Sequence, residues 1–180
     1  MRCRSVLVTG GARSGKSSHA EALVSASGLE RVYLATSVAE DGEMRARVAR
    51  HVEARGPGWE TIEEPLDIAG AIKTRSAPGT AVLVDCLTLW LSNLMFRDAD
   101  LPAETDRLAA ALQAAGGPVV LVTNEVGSGI VPDNALARRF RDEQGRLNRK
   151  IAASVEAVVL VACGLPLVLK PNSLQPEITL

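Results

Sequence analysis

Gly10-Gly11-Ala12-Arg13-Ser14-Gly15-Lys16-Ser17 fits G-x-x-x-x-G-K-[ST] and constrains the fold more than any other stretch of the chain. Ahead of it, Ser5-Val6-Leu7-Val8-Thr9 is a β-branched apolar run suited to a buried parallel strand. Behind it, Ser17 to Ser27 carries Ala20, Ala22, Leu23 and Val24 and reads as a helix. A strand that turns through glycines into a helix is the setting in which this pattern cradles phosphate. The glycines let several backbone N–H groups turn inward, and the helix N-terminus adds positive partial charge. There Lys16 reaches the β- and γ-phosphates and the Ser17 hydroxyl holds Mg²⁺. The competing reading is a glycine-rich turn that binds nothing, and four fixed positions in the right context weigh against it.

The 180 residues suffice for one core and one domain, expected over 1–170, with 171–180 as a surface tail. A net charge of −1 points to no nucleic-acid or anionic-membrane surface. No apolar run is long enough to span a bilayer, and Met1-Arg2-Cys3-Arg4 leads directly into the first strand, so no targeting segment is expected. Cys3, Cys86 and Cys163 are odd in number and widely spaced, which reads as reduced thiols in a cytoplasmic protein.

Further strands are expected at Arg31–Ala35, Thr80–Asp85, Val119–Val122, Ala157–Ala162 and Leu165–Lys170, with a short edge strand at Trp59–Pro65. Helical patterns fill Gly42–Arg55, Leu66–Arg75, Leu87–Phe96, Pro102–Ala115 and Asp133–Ser154, the last capped by Asp133 or Asn134. Alternation of this kind makes an α/β fold, a mostly parallel sheet covered on both faces. Ligands then collect beyond the carboxyl ends of the strands, where the phosphate loop, Thr36-Ser37, Asp85 and Thr123-Asn124 all fall.

Asp85 ends an apolar strand, expected to neighbour the phosphate-loop strand, and a carboxylate there completes the Mg²⁺ site begun by Ser17. Its bland reading is a solvated strand-end carboxylate. Arg13 either touches a phosphate or faces solvent. His51 lies four residues after Arg47 and four before Arg55, so the three share a helical face. Two guanidiniums beside an imidazole suit a phosphate and hold the ring neutral, with a nitrogen free to attack phosphorus. Spacing alone favours instead a surface histidine on an Arg-rich helix. Glu63 and Glu64 either meet a ribose or base or keep an edge strand soluble. Glu125 reads equally as a base, a metal's outer-sphere partner or a loop carboxylate. Arg138–Asp142 reads as a solvated helix face with internal ion pairs or as the lining of an anionic substrate's path, and His19 as a packing residue.

Several stretches together resemble a known family. They are Leu7–Ser17, Tyr33–Ser37, Glu43-Met44 with Arg47-Val48 and His51, Trp59 with Thr61 and Glu63, and Val122–Gly127 with Gly129–Pro132. Leu136–Asp142 and Gly145–Asn148 add to them. The whole, from about Val6 to Lys170, is similar to the bifunctional adenosylcobinamide kinase/adenosylcobinamide-phosphate guanylyltransferases of cobalamin biosynthesis. The resemblance implies a RecA-like P-loop fold and a homotrimer. It implies phosphorylation of adenosylcobinamide by ATP or GTP, then transfer of GMP from GTP to the adenosylcobinamide phosphate through a guanylyl-histidine. The matching histidine is His51, which overrides the reading from spacing. Carried over by position, the nucleotide contacts are Gly10 to Ser17, Ala35, Thr36, Ser37, Val52, Glu53, Ala54, Arg55, Glu63 and Asp85. Two departures stand out: Arg50 precedes His51 where some relatives have a second histidine, and Asp85 replaces a Glu found in others.

Two rivals remain on sequence grounds. A monofunctional P-loop kinase for a small metabolite would leave His51 structural. A nucleotide switch is disfavoured by the absence of an N-K-x-D guanine-reading motif.

Overall fold

The computed structural model describes residues 3–37 and 56–171. Seven β-branched or apolar runs form the strands: β1 (Ser5–Thr9), β2 (Glu30–Ala35), β3 (Trp59–Glu63), β4 (Thr80–Asp85), β5 (Val119–Val122), β6 (Ala157–Ala162) and β7 (Leu165–Lys170). Five described helices join them: α1 (Lys16–Ala26), α2 (Ile68–Arg75), α3 (Leu87–Phe96), α4 (Leu101–Ala114) and α5 (Ala135–Ser154). The expected elements are present within a residue or two. The expected helix over Gly42–Arg55 lies outside the described residues, apart from its final boundary at Gly56.

The strands assemble in the order β3-β2-β4-β5-β1-β6-β7, with every described pairing parallel except β6 with β7. One expectation fails here. β4, which ends in Asp85, does not neighbour β1, because β5 lies between and pairs with both. Asp85 is thus two strand spacings, about 10 Å, from the phosphate-loop strand. A run of apolar residues states that a strand is buried but not which strand lies beside it.

Successive side chains leave opposite faces of each strand, and the two cores follow this period. Leu7, Leu34, Val82, Val84 and Leu121 pack beneath α2, α3, α4 and α5, around the fully buried Trp90. Val8, Tyr33, Leu83, Val122 and Val161 pack on the other face against Ala20 and Val24 of α1. Helix starts are marked by capping side chains: Asp67 accepts from the Gly70 amide at 3.0 Å, Asp100 from Ala103 at 3.0 Å and Asn134 from Ala137 at 2.8 Å. Asn134, rather than Asp133, caps α5.

The other end of α5 is closed from a distance. Lys170, the last residue of β7, donates from Nζ to the carbonyls of Ala152 (2.9 Å), Ala153 (3.2 Å) and Val155 (2.6 Å). A cation on the final carbonyls offsets both unpaired acceptors and the negative end of the helix dipole. Lys170→Met should therefore lower stability by about 1–2 kcal/mol, read by urea denaturation. An unchanged midpoint would show that solvent serves those carbonyls equally well.

Candidate active site

One row of paired residues crosses the sheet: Glu63, Ala35, Asp85, Val122 and Val8 stand side by side on β3, β2, β4, β5 and β1. The polar residues picked out from sequence follow immediately after that row. Thr9-Gly10, Thr36-Ser37, Cys86 and Thr123-Asn124 therefore share one edge of the molecule.

Gly10 to Ser17 turns from β1 into α1 as expected. Gly15 caps the helix with φ 92°, in the left-handed region that favours glycine, and a Cβ there would make a tight 3.3 Å contact with the Gly164 α-carbon. Gly10 is more tightly confined, since a Cβ would press on the Val161 carbonyl and lie 2.6 Å from Ser14 Oγ. The loop is gripped on both sides. The Glu125 amide donates to the Gly10 carbonyl (3.1 Å) and the Gly164 amide to the Ser14 carbonyl (2.9 Å). Lys16 is only 9% exposed and folds back so that Nζ donates to the Gly11 carbonyl at 3.0 Å. Arg13 is exposed, with φ 55°.

Around the strand ends a polar frame holds the backbone. Thr36 is fully buried; its hydroxyl donates to the Cys86 carbonyl (2.8 Å) and accepts from the Cys86 amide (2.9 Å). Asn93 Nδ2 donates to the carbonyls of Thr36 (2.8 Å) and Pro65 (3.1 Å). Asp85 Oδ2 accepts from the Tyr33 hydroxyl at 3.0 Å. Of these, Asn93 was not legible from residue type alone, although it, Thr88 and Ser92 are polar residues within an otherwise apolar helix. Glu63 is exposed at the end of the edge strand. Glu64 is absorbed into a turn, where Oε1 accepts from the amides of Leu66 (2.9 Å) and Asp67 (2.8 Å). Glu125 Oε1 accepts from the Gly127 amide at 2.6 Å. In the Arg138–Asp142 run, Arg138 binds the carbonyls of Pro132 and Asp133, and Arg141 pairs with Asp142 at 3.5 Å. His51 and Val52, Glu53, Ala54 and Arg55 lie outside the described residues.

The Cys86 thiol reports on the charges around it. Burial lifts its pKa above the ordinary value and the neighbouring Asp85 carboxylate lifts it further, while hydrogen bonds to Leu89 and Thr88 and the Lys16 ammonium oppose. Lys16 and Asp85 thus lie within electrostatic reach of one thiol despite the intervening strand. Because the thiol titrates higher folded than unfolded, its contribution to stability is complete at neutral pH. That contribution is lost as pH rises past about 8.5, where the unfolded thiol ionises first. A thiol reagent at neutral pH should label the exposed Cys163 in the native protein and reach Cys86 only on unfolding. Equal labelling rates would contradict the buried setting.

The donor set suits Mg²⁺. A serine hydroxyl and a carboxylate are hard oxygen ligands, and no group of three His, Cys, Asp or Glu occurs among the described residues. Mg²⁺ is ordinarily held in this way, by one or two protein oxygens together with phosphates and water.

Comparison with known proteins agrees with this geometry. The family model described as cobinamide kinase / cobinamide phosphate guanyltransferase matches residues 6–169. The chain is 45% identical to the bifunctional adenosylcobalamin biosynthesis protein CobP of Pseudomonas aeruginosa, covering 93% of this chain and 98% of that protein. It is 43% identical to the bifunctional adenosylcobalamin biosynthesis protein CobU of Escherichia coli K12, covering 92% and 99%. Among solved structures, it superposes on the RadB recombinase with TM-score 0.52 at 18% identity, over 87% of this chain and 73% of that one. A type III secretion ATPase superposes with TM-score 0.51 at 13% identity, over 87% of this chain and 50% of that one. These likenesses are of fold alone, and the fold is that of a RecA-like P-loop NTPase. A loop, a strand order and an almost full-length match all converge: the chain belongs to the cobinamide kinase / cobinamide phosphate guanyltransferase family.

Proposed function

We propose that this chain carries out both reactions of its family at one nucleotide site on the carboxyl edge of the sheet. In the first, the aminopropanol hydroxyl of adenosylcobinamide attacks the γ-phosphorus of ATP or GTP and the nucleoside diphosphate leaves. In the second, a neutral His51 nitrogen attacks the α-phosphorus of GTP. A P–N bond forms and pyrophosphate departs. A phosphate oxygen of adenosylcobinamide phosphate then attacks the same phosphorus, the P–N bond breaks, and the imidazole is released with adenosylcobinamide-GDP as product.

The observation that carries this reading is the loop Gly10–Ser17, held between β1 and α1 with a buried Lys16 at its base. Its amides and ammonium stabilise charge developing on the phosphates. Ser17 and Asp85 would hold Mg²⁺, which neutralises phosphate charge and orients the leaving group. Ala35, Thr36, Ser37, Glu63 and Val52 to Arg55 complete the nucleotide contacts, and Arg47 and Arg55 hold acceptor or donor phosphates beside His51.

The enzyme works in the cytoplasm as a homotrimer of single-domain subunits. In support, no described helix is long and apolar enough to cross a membrane. Large apolar side chains also face solvent in a single copy, Phe96 at 80% and Leu165 at 72% among them. Incubating the protein with Mg²⁺, ATP, GTP and adenosylcobinamide should yield first the phosphate and then the GDP ester, resolved by chromatography. Nucleotide hydrolysis with no change in the corrinoid would overturn the proposal.

A further inference from the structure

We propose that Asn148 and Gln144, on α5, are positioning residues that set the phosphate loop through the Thr123–Glu125 segment. The inference rests on reading Gly10–Ser17 as the phosphate site.

The hydrogen bonds run in one direction only. Asn148 Nδ2 donates to the Asn124 carbonyl at 3.0 Å, which turns Oδ1 toward β5. That oxygen accepts the Thr123 hydroxyl (2.7 Å) and Gln144 Nε2 (2.9 Å). The Thr123 hydroxyl, its proton already committed, accepts the second Gln144 Nε2 hydrogen at 3.0 Å. On the far side, Thr88 Oγ1 receives the Asn124 amide (2.9 Å) and Nδ2 (3.1 Å). Neither Asn148 nor Gln144 can flip its carboxamide without breaking a bond, which fixes the orientation of the Asn124 peptide. The next amide, that of Glu125, donates to the Gly10 carbonyl at the mouth of the loop.

Gln144 shows that this arrangement is costly. It is 1% exposed and occupies the apolar stripe of α5 with Leu147 and Ile151, yet its Oε1 has no hydrogen-bond partner. A leucine there would fill the space without an unpaired buried oxygen. What the amide adds is two directed N–H groups, both spent on fixing Thr123 and Asn148.

The test measures hydrogen exchange of the Glu125 amide beside steady-state kinetics. In Gln144→Leu, Thr123 and Asn148 still satisfy one another, so folding should be retained. The Glu125 amide should exchange about tenfold faster while the β1 and β5 amides keep their rates. For phosphoryl transfer, kcat should fall about tenfold and the KM for nucleotide stay within about threefold. Asn148→Leu should have the larger effect, since it frees the Asn124 carbonyl. Thr123→Val should behave like Gln144→Leu, and Thr123→Ser should restore both readouts. Unchanged Glu125 exchange, or acceleration of all amides together, would overturn the proposal. If Gln144→Leu does not fold, the Thr123 pair decides it. If the wild type turns over no nucleotide, the reading of the site falls, while Glu125 exchange still decides the positioning role.

Discussion

Lys16→Ala should abolish both reactions to within a residual of about 10⁻² to 10⁻³ of wild-type turnover, with little loss of fold. The ammonium sits at the first residue of α1, buried, with Nζ 3.0 Å from the Gly11 carbonyl. Its charge is thereby held ready at the base of the loop before any phosphate arrives. A preorganised donor aimed at developing phosphate charge is worth about 3–4 kcal/mol, which sets the size of the loss. The fold survives because the one carbonyl released belongs to the exposed Gly11, where water can replace the lysine. Steady-state assays of each half-reaction, with a melting curve as control, check this. Turnover within threefold of wild type in either half would remove Lys16 from that half.

His51→Ala should instead split the two halves. Transfer of GMP through the proposed guanylyl-histidine needs the imidazole nitrogen as nucleophile, and its loss removes that covalent route, so a fall of at least about 10³-fold is expected. Phosphorylation of adenosylcobinamide uses the substrate's own hydroxyl and should stay within a few-fold. The contrast with Lys16→Ala matters more than either variant alone, because it separates a group serving the shared loop from one serving a single step. Equal losses in both halves would make His51 a structural or binding residue.

Much of this site was legible in sequence because it is local. The phosphate loop is eight consecutive residues whose spacing dictates the turn, and Asp85 and Thr36 announce themselves as polar residues ending apolar runs. Strand order was not legible: nothing in Thr80–Asp85 states that β5 intervenes between it and β1, since neighbours are chosen by packing across the whole sheet. The Asn93 and Gln144 carboxamides escaped for a related reason. A polar residue on a helix is ordinarily solvated, and only the fold shows that Asn93 bridges two carbonyls and that Gln144 is buried with β5. Glu64, read either as a ribose or base contact or as a residue keeping an edge strand soluble, ties a turn, which residue type does not announce. The role proposed for His51 comes from family resemblance rather than from spacing, which by itself favours a solvated helix.

The most direct measurement incubates the protein with Mg²⁺ and GTP labelled at the α-phosphate, with no corrinoid present, and follows label on the denatured chain. The expected result is a stoichiometric adduct, lost in acid but stable in base as a phosphoramidate is, discharged by adenosylcobinamide phosphate and missing from His51→Ala. No adduct in a protein that binds GTP normally would contradict the guanylyl-histidine and leave a kinase whose histidine does something else.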